Sequence, residues 1–175
     1  MENCKKVIVI RNSKNLGVSA AWNQGIEISL QNNCTNLLIV NNDIEFDKSC
    51  IDLLISHSKE NNNCLTSAYH LTDKNEGYDE GVFWSCFLIH KNIVDSIGYF
   101  DENFFPARGE DMDFEWRIDL AGIKHYRFYD CKVKHELNGT AKNLEETNEW
   151  KNHNWAGTMG RNLQYYEQKK KRWGY

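Results

Sequence analysis

One segment constrains the fold more than any other: the apolar run Leu37–Val40 leads directly into Asn41, Asn42 and Asp43. A short, uninterrupted apolar run is typical of a strand buried on both faces in the middle of a parallel sheet. Polar side chains just past the carboxyl end of such a strand lie where open α/β sheets bind their ligands. The Asp43 carboxylate is well placed there to hold a hard divalent cation, and the cation a phosphate. A polar turn after a buried strand is the alternative interpretation.

The apolar pattern before residue 60 alternates between strands and helices. It predicts strands at 7–10 and 37–40, and amphipathic helices at 17–30 and 49–58. This alternation is typical of a parallel α/β sheet flanked by helices. Farther along the chain the pattern predicts strands at 64–70, 82–89, 124–129 and 132–135, helices at 91–97 and 110–120, and one or two helices within 144–173, interrupted near Gly157 and Gly160.

Length and charge narrow the class of protein. The chain has 175 residues, of which 41% are hydrophobic and 26% charged, which predicts one globular domain spanning 1–175. A net charge of −4 implies no broad basic surface and argues against a nucleic-acid partner. No apolar run approaches the roughly 20 residues that span a bilayer. The basic run Lys169–Arg172 fits a solvated helix end that complements the helix dipole, with contact to an anionic membrane as the alternative.

The cysteines carry no metal-binding pattern. None of the six forms a Cys-x-x-Cys pair, and the amino-terminal residues lack the apolar core of a signal peptide. The spacing therefore argues against a zinc site and predicts reduced thiols in a cytoplasmic setting. The six are Cys4, Cys34, Cys50, Cys64, Cys86 and Cys131.

A first candidate ligand site lies in residues 11–25. The predicted strand runs into a glycine-bearing loop and then into a helix of small residues, which presents free backbone N–H groups and a positive helix end to an anion. An ordinary strand-to-helix turn with an asparagine cap explains the same pattern.

A second candidate site is acidic. Glu110 and Asp111 stand at the start of the predicted helix 110–120, and Asp113 is four residues before Arg117, so that these two can pair. A carboxylate at the start of such a helix could accept a proton from a hydroxyl nucleophile. Capping of the helix dipole together with a surface salt bridge is the alternative.

Two further residues each allow two interpretations. His135 ends a predicted strand, and a neutral imidazole is a common ligand of divalent metals, although a polar strand end explains it equally. Trp84 lies among small residues and could form a stacking wall for a sugar, or it could belong to the core.

Taken in order, these segments resemble the family 2 glycosyltransferases of the GT-A fold, especially the rhamnosyltransferase-like branch. The resemblance covers nearly the whole chain and implies a mostly parallel central sheet flanked by helices. It is carried by Asn15-Leu16-Gly17, Asn23-Gln24-Gly25, Asn41-Asn42-Asp43, Ile97 to Phe105, Glu110-Asp111-Met112-Asp113 with Arg117, His135, Arg161-Asn162 and Lys171 to Gly174.

The resemblance also implies roles for the candidate residues. Asp43 looks like the metal-binding carboxylate, His135 like a second ligand of the metal or diphosphate, and Asp111 like the general base. Glu110 would orient the acceptor or the donor. The implied nucleotide and substrate contacts are Arg11, Asn15, Gly17, Asn23, Asn41, Asn42 and Trp84.

The implied reaction moves a hexosyl group, with inversion, from a nucleotide-diphospho-sugar to a hydroxyl of a glycan or glycoconjugate, as in polysaccharide biosynthesis. Mn²⁺ or Mg²⁺ is the implied cofactor. A non-catalytic nucleotide- or sugar-binding module and a metal-dependent nucleotidyltransferase remain as alternatives. The protein would be cytoplasmic, or peripheral to a membrane through the basic run.

One departure from the family pattern carries its own expectation. The chain begins at what resembles the family's second strand, so the fold would be abbreviated at its amino-terminal end. The nucleobase would then be held differently, a partner chain would complete the site, or the protein would be a remnant with little activity. Val7–Ile10 would become an edge of the sheet, and an exposed edge favours association into a homo-oligomer.

Overall fold

The structure is a computed structural model that describes residues 7–61, 64–71, 84–135 and 155–175. Short connections separate most of the elements, and helices and strands alternate through the first part of the chain. The strands are β1 (Asn36–Val40), β2 (Ile44–Phe46), β3 (Cys64–Leu71), β4 (Cys86–His90) and β5 (Lys124–His135). The helices are α1 (Val18–Gln31), α2 (Lys48–Glu60), α3 (Lys91–Ile97), α4 (Glu110–Leu120) and α5 (Trp155–Arg172).

The five strands form one mixed sheet in the order β1-β4-β3-β5-β2. β3 and β5 are parallel, whereas β4 is antiparallel to both β1 and β3, and β2 is antiparallel to β5. The expectation of a mostly parallel sheet is therefore wrong. β1 and β3 do run in the same direction, as helix-linked strands should, but β4 inserts between them in the opposite sense. Its apolar run is buried on both faces, a pattern that does not reveal strand direction.

Helices cover both faces of this sheet, and the side chains of β4 alternate between the two cores that result. Phe87 and Ile89 join a core with α1, α3 and α4, in which Ile26 and Phe114 are fully buried. Cys86 and Leu88 face the other side, where α2 supplies Leu54 and β5 supplies Val133. The observed architecture is thus an α/β fold with the sheet in the middle layer.

Val7–Ile10 is not a strand, so the prediction of an edge strand there is wrong. These residues are 85%, 48%, 67% and 44% exposed, respectively. Asn12 and Gln24 exchange side-chain hydrogen bonds of 3.0 and 3.1 Å, which hold the segment that follows against α1 instead. A β-branched run favours a strand only where a neighbouring edge can pair with it. Among the described residues, the edges of the sheet are β1 and β2.

Other element boundaries differ in smaller ways. β4 begins at Cys86, and Trp84 and Ser85 form a turn before it, whereas 82 and 83 lie outside the described residues. The two strands predicted for 124–135 are one strand with an irregularity in its pairing to β3. α5 passes Gly157 and Gly160 without a break, and the rest of the predicted 144–154 segment lies outside the described residues. That the whole chain is one domain stays a prediction.

A disulfide joins Cys50 at the start of α2 to Cys131 in β5, which overturns the prediction that the thiols are reduced. The spacing misled because pairing depends on closeness in the fold, and these residues are 81 positions apart in sequence. Among the described residues, Cys34, Cys64 and Cys86 are free, and Cys4 lies outside them. The argument for a cytoplasmic setting from the cysteines therefore loses its support.

We expect the Cys131→Ser substitution to lower the free energy of unfolding by about 4 kcal/mol, because the crosslink closes a long loop in the unfolded chain. Urea unfolding with and without a reductant measures the effect. Cys34→Ser, which removes an exposed free thiol, should leave the midpoint unchanged. If a reductant left the midpoint of the parent protein unmoved, the disulfide would contribute nothing to its stability.

Candidate active site

The carboxyl ends of β1, β3 and β5 lie along one side of the sheet. We call this line of strand ends the carboxyl edge, as distinct from the edge strands β1 and β2. Val40 at the end of β1 faces Cys86 at the start of β4, and His135 at the end of β5 faces Ile44 at the start of β2. α1 and α4 lead into β1 and β5 through short turns and pack against the same sheet, so their amino-terminal ends return to this edge. The segments 15–17, 41–43 and 110–111 therefore all lie toward the carboxyl edge, where α/β sheets bind ligands.

The glycine turn before α1 packs against the loop before α4. The Val18 N–H donates to the Pro106 carbonyl oxygen at 2.8 Å, and the Asn15 side-chain oxygen accepts from the Gly17 N–H at 2.8 Å. Gly17 has a φ of 89°, and a Cβ there would lie 2.9 Å from the Pro106 carbonyl oxygen. This close approach requires glycine, and it joins the first candidate site to the second.

The Gly17→Ala substitution is expected to destabilise the fold by about 1–3 kcal/mol, since it adds both backbone strain and a clash. Gly25→Ala is the matched control, because Gly25 lies within α1 and a Cβ there would meet nothing within 4 Å. Alanine should stabilise the helix at that position by about 0.5–1 kcal/mol. Urea unfolding of the two variants should therefore give changes of opposite sign, and changes of equal sign would contradict the packing of this turn.

The turn that follows β1 leads through Asp43 into β2, which pairs with β5. The Asn41 N–H donates to the Ser85 carbonyl oxygen at 2.8 Å, which extends the pairing of β1 with β4 by one residue. Asn42 is exposed, and Asp43 is half-buried just before the Ile44–His135 pair. The backbones of Asp43 and His135 are thus neighbours, whereas the side chain of His135 lies outside the described residues.

The donor set at this turn decides which kind of metal site it could be. No three His, Cys, Asp or Glu side chains come together as a metal cage in the part of the chain that the structure describes. One carboxylate at the strand end does not fit a protein-only site. It does fit Mg²⁺ or a similar hard cation, which binds one or two carboxylates and fills its shell with substrate phosphates and water.

The start of α4 presents two carboxylates in different environments. Asp111 is half-buried, and its Oδ1 accepts from the Met112 N–H at 2.8 Å. Glu110 is only 6% exposed, and its carboxylate accepts from the backbone N–H groups of Arg108 and Glu110, while Oε2 has no hydrogen-bond partner among the described residues. Burial, and secondly the charge of Asp111, raise the pKa of Glu110 to about 7. Near neutral pH, Glu110 is therefore protonated in part of the population.

The raised pKa of Glu110 predicts how stability depends on pH. Between its ordinary value of 4.5 and about 7, the folded protein keeps a proton that the unfolded chain has lost, so stability falls as pH rises. The total loss from this group is roughly 3 kcal/mol. Glu110→Gln should abolish that part of the decline between about pH 5 and pH 8, measured as unfolding free energies in urea. Glu60→Gln, at an exposed position, should leave the decline unchanged. If the unfolding free energy fell equally steeply with pH in both variants, the prediction would be refuted.

Two predicted contacts are engaged inside the protein. The Asn23 side chain donates to the Phe100 carbonyl and to Glu102 and accepts from the Phe100 N–H, so it ties α1 to the segment before α4 rather than facing a ligand. Trp84 is 8% exposed and contacts the rings of Phe87, Phe100 and Phe114, which favours the core interpretation. Arg11 is exposed in the segment before α1.

Sequence reasoning missed the contribution of α5. The Lys169 ammonium lies 2.7 Å from Asp101 and 2.6 Å from Asp113, so this residue is not part of a solvated helix end as predicted. The predicted pair of Asp113 and Arg117 is present at 2.8 Å, but it is buried rather than on the surface. The sequence pattern predicts the helix α5 itself, but it does not reveal which residues, 50 to 70 positions earlier, the helix packs against.

A Ser–His–Glu hydrogen-bonded series exists elsewhere in the fold. His125 lies 2.8 Å from the Ser67 hydroxyl and 3.1 Å from Glu115. A nucleophilic serine must reach its substrate, but Ser67 is 1% exposed in the middle of β3. The series therefore ties α4 to the sheet and does not favour a hydrolase.

Comparisons with known proteins agree with this geometry. The sequence matches the profile of glycosyl transferase family 2 over residues 1–133. A galactofuranosyl glycosyltransferase of Leishmania donovani is 32% identical over 71 residues, which cover 37% of this chain and 16% of that relative. Among the described helices, none is both long and apolar enough to cross a membrane. Because the family profile matches well over half of this chain, the chain belongs to glycosyl transferase family 2.

Proposed function

We propose that this protein is a metal-dependent, inverting glycosyltransferase that moves a sugar from a nucleotide-diphospho-sugar to a hydroxyl acceptor. One observation carries the proposal: Asp43 follows the carboxyl end of β1, and Glu110 and Asp111 start the helix that leads into β5, a strand that runs in the same direction as β1. A sugar transferase needs both a place for a diphosphate and a carboxylate base near it. Family membership supports the assignment to sugar transfer.

The donor would enter beside the glycine turn. Backbone N–H groups at the start of α1 and the positive end of that helix favour a diphosphate. Arg11, Asn15 and Gly17 are proposed to contact the nucleotide, with Asn41 and Asn42 on the opposite side. Asn23 would act indirectly, by fixing Phe100 and Glu102 in the loop that closes this side of the site.

Asp43 and His135 are proposed to hold Mn²⁺ or Mg²⁺. When bound, the cation would neutralise charge that develops on the diphosphate leaving group. Asp43 directly precedes Ile44, which pairs with His135, so the two residues are backbone neighbours. Because the protein would supply only a few ligands, coordination positions would remain for the phosphate oxygens, as this chemistry requires.

Asp111 is proposed to accept the proton of the acceptor hydroxyl during in-line attack, which inverts the anomeric centre. Glu110, with its raised pKa, would be protonated in part of the population near neutral pH. A protonated Glu110 can donate a hydrogen bond to the donor or acceptor, in keeping with a role in orientation.

The finer assignment concerns the sugar and the acceptor. The order of the motifs supports the rhamnosyltransferase-like branch, hexosyl transfer and a glycan or glycoconjugate acceptor. The relative is described as a galactofuranosyl glycosyltransferase, and we extend that donor class to this chain as a candidate. Rhamnosyl and galactofuranosyl donors are therefore the first to test.

Release of nucleoside diphosphate from a panel of uridine, thymidine and guanosine diphospho-sugars, with and without Mn²⁺, tests the proposal. We expect metal-dependent release that increases when a hydroxyl acceptor is added, and a product of inverted anomeric configuration. Metal-dependent binding without hydrolysis or transfer for any donor would favour a non-catalytic binding module instead.

A further inference from the structure

We propose that Asn162 on α5 is a positioning residue that fixes the peptide preceding Glu110 and Asp111, and thereby the direction in which those carboxylates face the substrate. Its catalytic meaning rests on the proposed function, whereas its effect on the loop does not.

The contacts of Asn162 are specific and buried. Its side-chain nitrogen donates to the Ala107 carbonyl oxygen at 3.0 Å and to the Arg108 carbonyl oxygen at 2.8 Å. The residue is 5% exposed. A primary amide has two N–H donors, so this one side chain can donate to two consecutive carbonyls at once. No hydroxyl or carboxylate side chain could make both bonds.

The backbone between these carbonyls and Glu110 is held in an unfavourable conformation. Arg108 has a φ of 82°, which costs a non-glycine residue of the order of 1 kcal/mol or more. Gly109 has a φ of 102°, and a Cβ there would lie 2.8 Å from the ring of Phe104. Such a conformation persists only where its surroundings enforce it, and the two bonds from Asn162 act directly on it.

This loop is linked to Glu110 by a hydrogen bond. The Arg108 N–H donates to the Glu110 carboxylate, so a rotation of the Arg108 peptide moves a donor away from that group. The neighbouring charges that act on Glu110 are Asp111 and Arg108. Asn162 therefore controls Glu110 through one intervening residue, without contacting it.

The docking of α5 does not depend on Asn162 alone, which provides a matched control. The Tyr165 hydroxyl donates to Asp101 Oδ2 at 2.9 Å, and Lys169 pairs with Asp101 and Asp113. Tyr165→Phe removes the two hydrogen bonds of that hydroxyl, to Asp101 and from Asn103, but keeps the ring that packs on Phe104 and touches neither bond of Asn162. A general weakening of α5 would thus appear in both variants.

The test is a carboxyl ¹³C NMR titration of Glu110 in the full chain. In Asn162→Ala the midpoint should fall from about 7 toward the ordinary 4.5. A looser loop admits water, and the loss of burial, which is the largest cause of the raised pKa, outweighs the loss of the Arg108 N–H donor, which alone would raise it. The amide resonances of Arg108 and Gly109 should shift as well. Tyr165→Phe should leave both readouts as in the parent. Asn162→Ser, which keeps a single donor, should give an intermediate midpoint and replaces the alanine variant if that one does not fold.

Kinetics adds a second readout once a donor and acceptor are in hand. Asn162→Ala should lower kcat by about 100-fold, as expected for a small misplacement of a catalytic group, with the donor KM unchanged. A Glu110 midpoint that is unmoved in the Asn162 variants, or moved equally by Tyr165→Phe, would overturn the proposal. If the parent protein transfers no sugar, the proposed function fails, but the titration still decides the role of Asn162.

Discussion

The Asp111→Asn substitution is expected to reduce the rate of sugar transfer by about 10²–10⁴-fold, the contribution of a positioned general base. Asparagine preserves the size of the side chain and its ability to accept from the Met112 N–H, but it cannot take a proton from the acceptor. Binding of the donor should change little, because the base acts on the acceptor. A steady-state assay gives the rate, and calorimetry with a nucleoside diphosphate gives the affinity.

The control for this variant is Asp119→Asn, which removes an exposed carboxylate near the opposite end of the same helix. It should transfer sugar at the parent rate. Turnover of Asp111→Asn within a few-fold of the parent would exclude Asp111 as the base. Loss of nucleotide binding together with turnover would instead indicate that Asp111 supports the donor site.

The Asp43→Ala substitution is expected to weaken metal-dependent binding of nucleoside diphosphates by more than about 100-fold, since even partners that only orient a metal ligand contribute about 10–100-fold. The weak affinity measured without a divalent cation should be the same in parent and variant. Titration of a nucleoside diphosphate with Mn²⁺ and with a chelator separates these two effects. Transfer should be lost in parallel with metal-dependent binding.

Glu45→Ala is the matched control for Asp43, because it removes an exposed acid two residues farther along β2. Its affinity in Mn²⁺ should equal that of the parent. If Asp43→Ala retained the full metal-dependent affinity, the cation would be held elsewhere, and the strand-end interpretation of Asn41–Asp43 would be wrong.

Local sequence patterns predicted much of the fold. Apolar periodicity and glycine stops placed β1, α1, α2, α3 and α4 within two residues of their observed ends, because each element buries its own regular face. The polar residues Asn41–Asp43 follow a strand and Glu110 starts a helix, as the patterns predicted. Family membership further implies the GT-A type of α/β fold.

Features that depend on distant partners could not be predicted in this way. The reversed direction of β4, the Cys50–Cys131 disulfide and the burial of Lys169 each arise from contacts between residues far apart in sequence. Val7–Ile10 illustrates the converse, since a strong strand propensity produced no strand without an adjacent edge. Asn23 likewise resembled a ligand contact, although its partner is the backbone of Phe100, 77 residues away.

Paramagnetic broadening by Mn²⁺ in the presence of a nucleoside diphosphate tests the central claim most directly, because broadening falls steeply with distance from the ion. The account predicts the strongest loss of amide signal at Asn41–Asp43, then at Gly17 and Asp111, with sharp signals at Asn36 and Lys124 at the opposite end of the sheet. Broadening centred on that opposite end, or absent from the Asn41–Asp43 turn, would contradict a diphosphate and metal site at the carboxyl ends of β1 and β5.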